Sequence, residues 1–333
     1  MGTGVSGAFR VSGVYGPGAC GGFSISGCLP GRWLCLLCLV LMLCLGRDAL
    51  AGLYADQAAI LEAIRTSPLD GEPVHLVSVE ERGAVHGEVH AILDAPFEAL
   101  VRQLDSAEAW CEIFFLHFNI KACVLERKEA HPGQEIRLHI GRKRYQDPEV
   151  VERLGMRFEA QHLNTETFLV RLQAERGPHG LRDLSLELSA MRLDAERSLL
   201  RLRYALRYGA LGRMTLALYF SVGGRDRIGF TVEGLDEAGQ PVHVSGMRGM
   251  IERNTLRFYF ALKAYLREPG PARLEQRLIA WFELTERYPE QLREMPLGSY
   301  VAQKLREHHD QVAIQARIDA GIEADIWAPS GGW

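Results

Sequence analysis

The residues best suited to chemistry fall into a few small groups. His86-x-Glu88-x-His90 sets three metal-ligand types at i, i+2 and i+4, which share one face if the segment is a strand. Pointed into a site, such a trio can hold zinc with an open position. Here Val85, Val89 and Ala91 take the opposite parity and claim the buried face. The trio is therefore expected to face water, and no metal is expected. His308-His309-Asp310 lies in a charged stretch of helical spacing, where adjacent side chains diverge, so a solvated face is expected. No nucleophile elbow is present, and Gly223-Gly224-Arg225 is too short for a phosphate loop. These patterns supply neither a catalytic residue nor a cofactor.

Two polar groupings are better placed for binding. Gly246–Arg257 lies where a last strand should turn into a helix, and it carries Arg248, Glu252, Arg253, Asn254 and Arg257. These side chains suit a structural ion-pair and capping network. Alternatively, Asn254 and Arg257 could meet a ligand head group such as a carboxylate. His117, Asn119 and Lys121 share strand parity with Cys123 and form a second candidate row. The hydroxyls of Tyr259 and Tyr265 could act similarly, although both residues also fit a core.

The first 51 residues point to export. Five of the seven cysteines precede residue 45, in or before the 13-residue apolar run Trp33–Leu45. Arg32 precedes that run and Ala49-Leu50-Ala51 follows it. A charged lead, an apolar core of this length and an A-x-A ending describe a signal peptide, 1–51, cleaved after Ala51. Spanning a membrane takes about 20 residues, so an uncleaved, tethering leader is the alternative. The Gly- and Ser-rich stretch 1–31 would also fit a misassigned start. The expected location is periplasmic or secreted. Cys111 and Cys123, 12 residues apart, remain after cleavage, and in an exported chain a disulfide is favoured over two buried thiols.

The whole chain has 333 residues, 47% hydrophobic and 24% charged, with a formal charge of −4. This composition excludes a disordered chain, a collagen-like repeat and a small disulfide scaffold. A pI near 6.3 leaves no basic field for nucleic acid. Losing Arg10, Arg32, Arg47 and Asp48 with the leader takes the charge to −6.

Elements able to position these groups follow from hydrophobic periodicity. A lead-in with a short helix at 56–66 fills 52–80. From about 81 a strand pattern begins, and Asp94-Ala95-Pro96-Phe97 opens a helix running to about Trp110. Beyond Trp110 strands are expected at 114–124, 136–140, 168–172, 184–190, 200–208, 214–220 and 228–232. Their clean alternation predicts an antiparallel sheet with one covered face. A helix is expected at 255–267, capped by Asn254 or Thr255, and Glu268-Pro269-Gly270-Pro271 marks a boundary. Two amphipathic helices fill an appendage at 271–320, and 321–333 is a tail.

Val89-His-Ala-Ile-Leu-Asp-Ala-Pro-Phe-Glu-Ala-Leu-Val101 followed by Trp110, then antiparallel strands and a long apolar helix, resembles the START-like, polyketide cyclase-like superfamily over 81–267. The resemblance implies an α+β helix-grip fold, a sheet wrapped around the C-terminal helix with a cavity between them. It implies a lipid or other hydrophobic small molecule as the partner, with transient membrane contact on loading. Two readings from other classes stand beside it. One is a cavity enzyme of cyclase or hydrolase type; the other is an envelope protein-interaction module that uses the helices after 271. The sequence offers more strand candidates than the seven usual in that family, and no catalytic residue transfers.

Overall fold

Period-two alternation through the middle of the chain builds one eight-stranded antiparallel sheet. Its strands are β1 (Val74–Glu81), β2 (Ala84–Leu93), β3 (Ile120–Glu126), β4 (Gln134–Ile140), β5 (Glu152–Asn164), β6 (Thr167–Arg176), β7 (Leu181–Arg192) and β8 (Ser198–Tyr208). They lie in the order β1-β2-β8-β7-β6-β5-β4-β3. A separate hairpin pairs β9 (Val232–Leu235) with β10 (Pro241–His243). The helices are α1 (Gln57–Arg65), α2 (Phe97–Leu104), α3 (Ala107–Phe115), α4 (Gly246–Arg267), α5 (Leu274–Glu286), α6 (Pro289–Leu292) and α7 (Leu297–Asp319). The computed structural model describes residues 57–66, 69, 71–126, 134–209 and 227–322. The leader expected at 1–51 with Ala51, the strand expected at 214–220 and the tail from 323 onward lie outside the described residues. None of the described helices is long and apolar enough to cross a membrane.

The sheet lays one face on α4. Val85, Val89 and Ala91 of β2 are buried there, and β8 contributes Leu200, Leu202 and Leu206 from the same face. Each Leu or Phe so buried is worth about 1.5–3 kcal/mol before chain entropy is subtracted. Gly87 lies between Val85 and Val89, opposite Ile251 and Thr255 of α4. A Cβ there would run into Thr255 Oγ1, so the missing side chain lets the helix come close. The arrangement is the helix-grip α+β fold that the resemblance implied.

α4 is longer than expected. It begins at Gly246, after Ser245, rather than at 255, so the polar stretch 246–257 forms its first half. The helix is buried around almost its whole circumference, against the sheet on one side and α3, α5 and α6 on the other. That placement explains why its sequence shows so little of a one-sided stripe.

The strand expected at 114–124 is corrected by the structure. α3 continues to Phe115, a turn follows, and β3 starts only at Ile120. Ser106 caps α3 by accepting a hydrogen bond from Ala109 N (3.2 Å). The run Ala109–Phe115 is apolar at nearly every position, and it fits either period when both faces are buried. β1 and β5 went unread for related reasons. In β1 valines occupy both faces, and in β5 only Leu154, Met156 and Phe158 alternate before the strand becomes exposed. The sheet thus begins inside the stretch expected to be a helical lead-in.

The residues after 271 share the same core. Trp281 of α5 and Tyr300 of α7 are fully buried, with ring centroids 5.2 Å apart. α7 also covers the edge strand β3. Gln311 and Gln315 accept the Cys123 and Leu125 N–H groups (2.7 and 2.8 Å), and Gln315 donates back to Leu125 O (3.2 Å). Lys304 donates to Ile120 O (2.6 Å), and Tyr300 donates to Leu116 O (2.7 Å). Side chains of a helix here do the work of a ninth strand, closing an edge that would otherwise invite another chain.

Candidate functional site

Burying the first half of α4 forces its charged residues to find partners. Glu252 is fully buried. It accepts hydrogen bonds from Ser78 Oγ (2.6 Å), Thr231 Oγ1 (2.7 Å), Phe230 N (2.6 Å) and Thr231 N (3.0 Å). Arg253 donates to the carbonyls of Arg227 and Ile228, both at 2.9 Å. Arg248 reaches Glu233 (2.7 Å) and Ser78 (3.2 Å). These three side chains form the structural network and bind the chain around 227–233 to the helix.

Asn254 and Arg257 belong to a different cluster. Arg257 donates to Glu294 Oε1 (2.6 Å) and Leu292 O (3.4 Å), and its other terminal nitrogen faces Asn254 Oδ1 (3.4 Å). Glu294 also pairs with Arg227 (2.7 Å) and with Lys143. Burial alone would raise the Glu294 carboxyl, but Arg257, Lys143 and Arg227 outweigh it and hold the group below its usual value. Exposure grows outward from this carboxylate. The side chains of Glu294 and Arg257 are 2% and 6% exposed, whereas those of Lys143 and Arg227 are each 31% exposed.

His117 stands at the inner end of the cluster. Its ring stacks on Phe258 of α4 at 5.4 Å and tilts against Trp281 at 6.5 Å. Nδ1 accepts the Asn119 N–H (3.2 Å), so in the neutral ring the proton sits on Nε2. Nε2 is buried beside the Asn254 side chain, whose hydrogen bonding to the ring works against the loss of charge. Burial pushes the imidazole well below its ordinary pKa, and the positive charges of Arg257, Lys304 and Lys143 push it further.

Phe258 joins this polar end to the inner face of the sheet. It makes edge contacts with Phe114 (5.5 Å) and with Tyr204 of β8 (5.4 Å). Tyr204 sits opposite Gly87. It is enclosed enough for burial to push its hydroxyl up to about 12, yet the residue stays only half-buried, unlike its neighbours Leu202 and Leu206. Asn254 is half-buried too, although the residues on either side of it are buried.

The structure thus draws together three of the expected residues, His117, Asn254 and Arg257, from two separate groupings. The row His117–Asn119–Lys121 does not exist as a row, because His117 and Asn119 precede the strand. Asn119 donates to Gly141 O (2.7 Å). Lys121 points into the α7 interface, where Lys121 and Lys304 share the buried Glu307 at 2.8 and 2.7 Å. Burial holds Lys304 down to about 8 despite that carboxylate. Tyr259 donates to the buried Glu72 (2.9 Å), which also pairs with Lys263 and Arg287. Tyr265 lies under the Arg277 guanidinium, 5.4 Å from its ring centre. Both tyrosines serve packing.

The other expectations resolve locally. Cys111 of α3 and Cys123 of β3 form a disulfide, with Cα atoms 5.2 Å apart. His90 bonds Glu88 (2.6 Å), which also accepts from Arg201 (2.7 Å). Among the described residues no three of His, Cys, Asp and Glu converge as a metal site. Glu294, Lys143, Arg227, Tyr204 and Trp281 were not singled out by sequence. Only Tyr204 carried a signal, its inward parity on β8.

No protein-family profile and no curated protein matches the chain. Among solved structures it is similar to the Zhui aromatase/cyclase from a Streptomyces species, at 15% identity, covering 68% of this chain and 96% of that one, with a TM-score of 0.29. It is similar to the human StarD13 lipid transfer and protein localization domain at 6% identity, covering 45% and 76%, with a TM-score of 0.31. A START superfamily protein from Mycobacterium smegmatis shares 14% identity, covering 41% and 87%, with a TM-score of 0.27.

Proposed function

We propose that the chain is an exported binding protein that holds a lipid or other hydrophobic small molecule between the sheet and α4. The observation that carries this reading is the pair of half-buried residues at that interface, Tyr204 and Asn254, set among buried rings and aliphatic side chains. The rings of Phe258, Phe114 and Tyr204, packed edge to edge with a few polar groups at one end, have the composition of a small-molecule site. Export rests on the leader pattern and on the pairing of the only two cysteines outside it. Cargo of this kind would be loaded and released by transient contact with a membrane surface.

The tautomer of His117 favours binding over catalysis. A general base needs a free lone pair facing its substrate. The Nδ1 lone pair of His117 is taken by Asn119, and Nε2 presents a hydrogen instead. Titration of the full chain with Nile red tests the reading. Saturable binding with a blue-shifted emission, competed by an unlabelled lipid and weakened by Tyr204→Ala, is expected. An unsaturable signal, or one that ignores Tyr204, contradicts it.

A further inference from the structure

We infer that the hydroxyl of Tyr204 donates a hydrogen bond to the bound molecule, which sets an uncharged oxygen (a carbonyl, hydroxyl or ether) against the middle of the sheet's inner face. This inference rests on the binding reading above and narrows its ligand to apolar molecules that carry such an oxygen.

Three observations carry it. The first is place. β8 is an interior strand of the sheet, and the inner-face neighbours of Tyr204 are Leu202 and Leu206 along the strand, Gly87 on β2 and Leu186 on β7. All of these are buried, yet Tyr204 keeps accessible surface. The outer face belongs to Arg203 and Ala205, so the surface of Tyr204 faces the gap between the sheet and α4, where Phe258 meets its ring. The second is the hydroxyl itself, which makes no hydrogen bond to any described residue. Other tyrosines of the core do: Tyr208 donates to Glu80 (2.9 Å), Tyr259 to Glu72 (2.9 Å) and Tyr300 to Leu116 O (2.7 Å). Enclosed tyrosine hydroxyls find a partner as a rule, in a ligand or water if not in protein. The third is electrostatic. Burial alone pushes this hydroxyl up to about 12, and no charged side chain among the described residues acts on it. The group therefore stays protonated and donates. A carboxylate set against it would be buried without a countercharge, a cost that an uncharged oxygen avoids.

The test is titration of the full chain with 2-acetylnaphthalene, 2-ethylnaphthalene and 2-naphthoate, with Nile red as a reporter of the apolar site. The first two differ only at the carbonyl. Tyr204→Phe keeps the ring and removes the hydroxyl. It should weaken the ketone by about 2- to 10-fold, the margin of one neutral hydrogen bond, and leave ethylnaphthalene unchanged. In infrared difference spectra the carbonyl stretch of the bound ketone should lie lower in the wild-type chain than in Tyr204→Phe. Naphthoate, which brings a charge to the same place, should bind more weakly than the ketone. An equal effect of Tyr204→Phe on ketone and hydrocarbon means that the ring packs and the hydroxyl does nothing, which overturns the inference. An unmoved affinity and carbonyl stretch overturn it too, because an internal water then serves the hydroxyl. Naphthoate binding at least as tightly as the ketone overturns the uncharged oxygen. Failure of all three while Nile red still binds overturns this inference and leaves the binding reading standing; failure of Nile red as well overturns both.

Discussion

Thr255 of α4 occupies the notch that Gly87 of β2 leaves in the sheet. The contact sets how near the gripping helix stands to the sheet, and Phe258, one turn further along the helix, meets Tyr204 across the same gap. Gly87→Ala should push against Thr255 Oγ1 and the Ile251 carbonyl. Thr255 cannot swing away freely, since its hydroxyl donates to Ile251 O at 2.7 Å. We expect a loss of about 1–3 kcal/mol, read from the urea midpoint. Weaker Nile red binding should accompany it.

The edge of the sheet makes a second prediction. Lys121 and Lys304 are buried on one carboxylate, Glu307. Glu307→Gln strands two buried cations, and removing one member of such a group costs about 3–5 kcal/mol. Chemical denaturation should show that loss. A change below about 1 kcal/mol would mean that α7 closes the β3 edge through Gln311 and Gln315 alone.

Glu88 should govern part of the acid response. Burial would raise its carboxyl, but hydrogen bonds from His90 and Arg201 hold it at about 2 in the folded chain, against an ordinary 4.5. Above pH 4.5 the carboxylate is ionised in both states and its stabilisation is complete. As pH falls from about 4.5 toward 2 the unfolded chain takes up a proton that the folded chain refuses, so stability is lost over that window. Glu88→Gln should flatten this limb of a stability-against-pH curve.

The bridge between Cys111 and Cys123 joins α3 to β3. Closing so short a loop is worth about 3 kcal/mol at most. Reductant, or Cys111→Ser with Cys123→Ser, should lower the melting temperature by several degrees. Residues 52–333, purified without reductant, should show no free thiol when denatured and labelled.

Much of this fold could be read in the sequence, and for physical reasons. β2, β6, β7 and β8 each pack one face fully and carry polar residues on the other, where His90 is nonetheless buried, so period two appears plainly in Leu184–Ala190 and Leu200–Tyr208. α3 and the first half of α4 are buried on several sides, and burial without a wet face erases the period. Asn254 and Arg257 were legible because polar residues crowd a helix start there. Glu294 was not, since nothing near Met295-Pro296 announces that a segment 37 residues away meets Arg257. Strand parity groups His117 with Asn119 and Lys121, whereas a turn after α3 delivers it to Phe258.

The central claim is that the sheet and α4 enclose an apolar ligand. Native mass spectrometry of the chain purified from the cells that make it, followed by solvent extraction, tests it most directly. The account predicts a discrete adduct of small-molecule mass, released by extraction, hydrophobic in character, and lost in Tyr204→Ala. Bare protein from every preparation, with no adduct formed on adding hexadecanoate, would contradict it.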